Sequence, residues 1–298
     1  MSITRTIIAA VASAAAVVAT AAVAHAMSFG AWLPAVNAES IPGTSGNLNT
    51  AALEGCSFVA QRDDVLYFAS NRAGGMGGID IWYSRRGENS AWGDPVNFDE
   101  VNSSADDICP SAHRNGKTFL FISSRAGGCG GADIYATRLH ATRGWAPPQN
   151  LGCTVNSPAD EASPYLLEEE LYFSSTRAGN SDIYVSVFDG DSFATPTLAP
   201  GLNTAQNDSR PNLRRDGLEI FFDSNRPDGI GGLDLWSSTR ATTSDPWSAP
   251  QNLGANVNSS ANELRPTLSW DGTTLYFGST RAGGEGSQDL YVTTRAKS

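Results

Sequence analysis

Five carboxylates recur along the chain at one spacing. Glu54, Asp107, Glu161, Asp208 and Glu263 each stand five residues after an asparagine, namely Asn49, Asn102, Asn156, Asn203 and Asn258. Acids gathered in a ring could hold a hard cation, which takes several oxygen ligands, or supply the paired carboxyls of a glycosidase. Two other charged sets repeat with them: Arg72, Arg125, Arg177, Arg226 and Arg281, and Asp80, Asp133, Asp182, Asp234 and Asp289. A catalytic constellation normally occurs once in a chain. Fivefold recurrence therefore assigns these arginines and aspartates to structure, with Asp accepting loop amides and Arg bridging loops through charge-assisted hydrogen bonds. By the same argument acid–arginine pairing is the first expectation for the ring acids, and a cation or ligand site is the alternative.

Two positions beyond each acid the copies disagree: Cys56, Cys109, Ser163, Arg210 and Arg265. A shared scaffold role does not explain that variety. Arg210 and Arg265 belong to neighbouring repeats and are suited to gripping a carboxylate-bearing ligand; the structural alternative is that each balances a nearby acid. Together with the ring acids they form the candidate ligand site. The four cysteines allow three pairings. Cys56 and Cys109 hold equivalent places in adjacent repeats, whereas Cys129 lies in a glycine loop and Cys153 follows the last strand of that same repeat, so the expected bonds are Cys56–Cys109 and Cys129–Cys153. No C-x-x-C pair points to a metal, and no metal or other cofactor is expected. His113 is the one histidine considered as an acid/base. The loops around Gly74-Gly75-Met76-Gly77-Gly78 lack the Gly-Lys-Ser/Thr ending of a phosphate cradle and lead into strands, which makes them turns.

The elements that position these residues follow from one repeated phrase. Leu66-Tyr67-Phe68-x-Ser70-x-Arg72 is followed across a glycine loop by Asp80-Ile81-Trp82, and the phrase returns at Phe119, Leu171, Ile220 and Leu275. A period of roughly 50 residues in β-forming sequence marks a propeller. Each unit reads as four antiparallel strands: an inner one beginning near a proline (Pro110, Pro164, Pro211, Pro266), the Leu-Tyr-Phe phrase, a third starting at Asp, and an outer one such as Trp92-x-x-Pro95-x-Asn97. Turns such as Asn115-Gly116 and Asp271-Gly272 supply the positive φ of tight hairpins. The last repeat stops after its third strand. Its outer strand stands at the other end of the chain, in Trp32-x-x-Ala35-x-Asn37. The expected fold is thus all-β, a five-bladed propeller of four-stranded antiparallel blades, with the last blade closed by the N-terminal strand.

These Ser-x-Arg, glycine-loop, Asp-Ile-Trp and Pro-x-Asn-Leu-Gly elements resemble the WD40-like propeller repeats of TolB-type proteins, over essentially all of residues 30–298. The resemblance implies a periplasmic or secreted compartment and, often, a protein-interaction role. Related propellers include polysaccharide lyases, so an activity is implied less firmly than a fold.

Residues 1–26 read as a signal peptide: Arg5 precedes an apolar stretch from Ile7 to Ala24, and Ala24-His25-Ala26 is an A-x-A cleavage site. Residues 27–298 then form the propeller. The chain carries a net charge of -11, which argues against nucleic acid or anionic membrane as partner. No later run is long enough to span a bilayer. The expected protein is a secreted or periplasmic monomer that binds an envelope or extracellular protein or glycan without catalysis, through its loop face and channel mouth. Two alternatives stand beside it: a lyase or glycosidase acting on an acidic saccharide, and a lectin with one pocket per blade. Blade three departs from the pattern, with three residues fewer between Arg177 and Asp182 and Phe193 in place of the outer tryptophan; a lower rim and a side groove are expected there.

Overall fold

A computed structural model describes residues 28–60, 62–87 and 91–297, and the leader expected over residues 1–26 lies outside the described residues. Five antiparallel sheets follow one another in sequence order, and their inner strands touch cyclically, the fifth against the first. The inner strands are Glu54–Val59, Asp107–Ala112, Glu161–Leu167, Asp208–Leu213 and Glu263–Leu268. The second strands are Val65–Ser70, Thr118–Ser123, Glu170–Ser175, Glu219–Ser224 and Thr274–Ser279. The third are Asp80–Arg85, Asp133–His140, Asp182–Val187, Asp234–Thr239 and Asp289–Thr294. Outer strands are only two residues long, at Val96–Asn97, Gln149–Asn150, Thr197–Leu198 and Gln251–Asn252. Blade two adds a short ribbon strand, Gly144–Trp145.

The repeat phrase is the core. Phe68, Phe121, Phe173, Phe222 and Phe277 are all fully buried, on second strands packed on both faces. The short outer strands are extended by a side-chain device that the period alone does not explain. Asn102 accepts a hydrogen bond from the Ile81 N–H at 2.9 Å and donates to the Ile81 carbonyl at 2.8 Å. Asn49, Asn156, Asn203 and Asn258 do the same to Leu290, Ile134, Ile183 and Leu235. One amide side chain thus satisfies a third-strand peptide where the fourth strand has not yet begun.

Closure is as expected. Val36–Asn37 pairs with Val292 and Tyr291 of blade five, and Asn49 spans the seam to Leu290. Both expected disulfides are present, with Cα separations of 4.7 Å for Cys56–Cys109 and 5.5 Å for Cys129–Cys153. The first bonds neighbouring blades; the second ties a glycine loop to its own blade. Replacing Cys56 and Cys109 by serine is expected to lower unfolding stability by about 2–4 kcal/mol, because the bond restricts the unfolded chain. A urea titration of the double variant against the parent, both non-reduced, measures it, and an unchanged midpoint would refute the role.

One strand boundary differs from expectation. The inner strands begin at the acid, and the proline lies inside them. Each inner strand slips register just after its second residue, for example between Ile108 and Ser111. Proline has no N–H to leave unpaired at such a bulge, which is why it is tolerated there.

Candidate functional site

The acid ring is built into the scaffold. Glu54, Asp107, Glu161, Asp208 and Glu263 are at most 1% exposed, and each pairs with its repeat arginine at 2.5–3.1 Å. Glu161 also accepts from Ser157 N at 3.0 Å, Ser157 Oγ at 2.6 Å and Ser175 Oγ at 2.8 Å. Its partner Arg177 donates to the Val155 carbonyl and stacks its guanidinium over Tyr184 at 4.8 Å. The acids, named above among the ligand candidates, have their lone pairs taken up internally by arginine, hydroxyl and backbone donors. The repeat aspartates hold the glycine loops: Asp80 accepts Met76 N at 2.6 Å and Gly77 N at 3.2 Å, Asp234 accepts Ile230 N and Gly231 N, and Asp289 accepts Glu285 N and Gly286 N. Asp133 takes Cys129 N. In blade three the shorter loop leaves Asp182 with the Asn180 side chain instead.

The five divergent residues are brought together on the axis. Cys56, Cys109, Ser163, Arg210 and Arg265 are the bulge residues of the inner strands, and all five have left-handed backbone, with φ between 46° and 59°. Such a conformation costs non-glycine residues on the order of 1–3 kcal/mol and survives only where surrounding structure imposes it. They line a central cavity of about 30 Å³ together with Pro110, Pro164, Pro211 and Pro266. Only Arg210 and Arg265 are charged among its described lining residues.

A residue missed by sequence reasoning serves both arginines. Asp223 is fully buried; its Oδ1 accepts Arg210 Nη1 at 2.7 Å and its Oδ2 accepts the Arg265 backbone N–H at 2.8 Å. Burial raises its pKa, against the pull of Arg210 and Arg265. Its signal was available: at the x of Phe-x-Ser the copies carry Ala69, Ile122, Ser174, Asp223 and Gly278, with one charge among them. Arg265 differs from every other arginine described above. Its guanidinium makes no hydrogen bond or ion pair with a described residue, and its Nε is sealed from solvent without a partner. Burial first, then the nearby Arg210, lowers its pKa to about 9. Two cations thus share one carboxylate around a small cavity.

His113 does not join this site. It is 4% exposed in the turn beyond the blade-two inner strand, with Nδ1 accepting Asn115 N and Nε2 buried without a partner. Burial lowers its pKa. A depressed folded-state pKa means the unfolded chain binds more protons below its own value near 6.5, so stability falls as pH drops through that region. His113→Asn is expected to remove this part of the loss between pH 7 and pH 5, read as a smaller change in urea midpoint than in the parent; identical pH dependence would contradict it.

Larger concavities lie between blades. One of about 370 Å³ is lined by Tyr172, Arg240 and Trp247, a second of about 350 Å³ by Tyr276, Arg86 and Leu33, and a third of about 120 Å³ by Tyr67 and Trp145. Each is lined by the tyrosine of the repeat phrase, and Leu120 and Phe221 stand at the other two positions. The blade-three groove is at the Glu170 end of the second strand, opposite the shortened loop, so loop length did not create it.

No family model matches the chain, and no curated protein does. Solved structures similar to it include an alpha-L-arabinofuranosidase from Lactobacillus brevis, at TM-score 0.53 and 14% identity over 87% of this chain and 94% of that one. A GH43_12 protein retrieved from capybara gut metagenome has TM-score 0.53 and 15% identity over 90% of this chain and 57% of that one. TolB from Acinetobacter baumannii has TM-score 0.48 and 18% identity over 80% of this chain. The chain spans about half the length of that TolB, 53%. Likenesses at these identities are likenesses of fold, a β-propeller.

Proposed function

We propose that this propeller is an exported, non-catalytic binding module that takes a carboxylate-bearing envelope or extracellular protein or glycan at its channel mouth. The observation that carries the reading is the unpartnered Arg265 guanidinium beside Arg210, in a molecule whose repeat arginines are all paired. Arg265 is half-buried, and leaving its sealed Nε without a hydrogen bond costs stability; such a cost is common where a surface is kept for a ligand. Two disulfides suit an oxidising, extracytoplasmic compartment, in keeping with the apolar leader and A-x-A site.

The enzyme alternative needs two carboxyls about 5–5.5 Å or 6.5–9.5 Å apart and free to exchange protons. At the axis the available carboxylate is Asp223, held by Arg210 and by a backbone N–H, and the ring acids are each tied to an arginine. The arabinofuranosidase likeness is one of fold and brings no catalytic pair with it. One equivalent pocket per blade, as a lectin would have, is disfavoured by the unequal size of the three grooves found among the described residues.

The test is a glycan array together with an affinity pull-down from envelope extract, using the parent and Arg210→Ala/Arg265→Ala. At least a tenfold loss of the captured partner is expected. Equal capture by both proteins would refute the channel-mouth reading.

A further inference from the structure

We infer that the axial cavity is an anion socket for one small monovalent anion, filled in function by the terminal carboxylate of a chain rather than by a whole residue or sugar ring. This rests on the proposed binding role and narrows it to a chemical class. Size sets the first limit. A cavity of about 30 Å³ exceeds the roughly 10–15 Å³ that admits one water, and leaves room for a carboxylate head or a halide but not a pyranose.

Charge sets the second limit. Arg210 and Arg265 bring two cations to the socket, and Asp223 returns one negative charge from behind them. Arg210 already directs Nη1 to Asp223, whereas Arg265 offers Asp223 only its backbone N–H. Its guanidinium, with a buried and unpartnered Nε, is the free donor group of the site. A planar carboxylate matches that fork in two parallel hydrogen bonds. No ring acid competes for it, since each is bonded to its own arginine.

Rigidity is the third feature. The socket wall is made of left-handed bulge residues, four of them followed by proline, and the Cys56–Cys109 bond fixes two of the five. Gly55 has no room for a Cβ, which would stand 1.9 Å from Gln288 Nε2 and 3.3 Å from Arg265 Nη1. The backbone of the socket wall is thereby held in place before any ligand arrives, which limits the ordering cost of binding. Between the two sources of a larger carboxylate, a chain terminus presents it at the tip of a narrow shape, whereas a uronate presents it on the flank of a ring. The narrow socket favours the terminus.

Thermal unfolding in formate, acetate, chloride and sulfate at equal ionic strength reads the socket directly. Formate at ten times its Kd is expected to raise the parent's Tm by about 3–6 °C relative to sulfate, and Arg265→Gln to abolish the difference. In calorimetric titration, acetyl-Ala-Ala-Ala with a free C-terminus should bind, its amidated form should not, and formate should compete with it. Should Arg265→Gln fail to fold, competition by formate in the parent still decides the matter. A formate response without binding of any larger ligand supports the socket and removes the partner reading. Binding of a larger partner that is indifferent to formate but lost in Arg210→Ala/Arg265→Ala keeps that reading and overturns the socket. Uronate binding in place of peptide overturns the assignment to a chain terminus. Equal Tm in all four salts overturns the socket outright.

Discussion

Glu219→Ala is expected to destabilise the propeller by about 3–5 kcal/mol, the cost of leaving buried charge without its partner. Glu219 begins the second strand of blade four and is 6% exposed, between Arg214 and Arg295, each 7% exposed. Arg295 bonds both carboxylate oxygens at 2.7 Å, and Arg214 adds a third bond at 2.9 Å. The two guanidiniums lie over the ring of Phe29, at 3.9 and 5.2 Å from its centroid, and Arg295 also lies over Trp32 at 4.5 Å. The cluster therefore joins blade four to the end of blade five and to the N-terminal segment that closes the ring. Removing the acid strands the Arg295 guanidinium, leaves Arg214 with Asp216 alone, and loosens the seat of that segment. Urea denaturation measures the effect; a loss below about 1 kcal/mol would mean that the network contributes no more than an exposed ion pair.

Glu161→Ala should cost a similar amount, about 3–5 kcal/mol, by a different route. Four internal donors converge on this carboxylate: Ser157 N, Ser157 Oγ, Ser175 Oγ and Arg177 Nη2. All would lose their acceptor together in a buried site, and Arg177 would lose the anchor that holds it against the preceding connection at Val155. Differential scanning calorimetry should show a lowered Tm for Glu161→Ala, with a smaller drop for Glu161→Gln, which keeps a carbonyl acceptor. An unchanged Tm for the alanine variant would return the ring acids to the list of ligand candidates.

The blade plan was legible because its residues answer to a period. Phenylalanine at the centre of each second strand, aspartate at the start of each third, and Trp32-x-x-Ala35-x-Asn37 as the missing outer strand all follow from alternation and spacing. The bulge was not legible, and the reason is physical. Left-handed backbone is usually announced by glycine, but here Cys56, Cys109, Ser163, Arg210 and Arg265 adopt it, so the proline read as a strand start. Asp223 escaped notice because it lies inside a well-repeated phrase. A second device was overlooked for the opposite reason. Arg86, Arg240 and Arg295 stand six residues after the repeat aspartate and stack on Trp92, Trp247 and Trp32 at 4.3–4.5 Å, but Leu139 and Phe188 replace them in the other two blades. A contact present in three copies of five is weak in sequence and plain in space.

Arg265→Met tests most directly whether the residues that hold the propeller together are distinct from those left to bind. The substitution keeps length and removes a half-buried guanidinium whose Nε is sealed without a partner, so the urea midpoint should stay level or rise. Binding of formate and of the captured partner should fall at least tenfold. Retained binding, or a stability loss as large as that of Glu161→Ala, would show that Arg265 is one more element of the scaffold and would contradict the account.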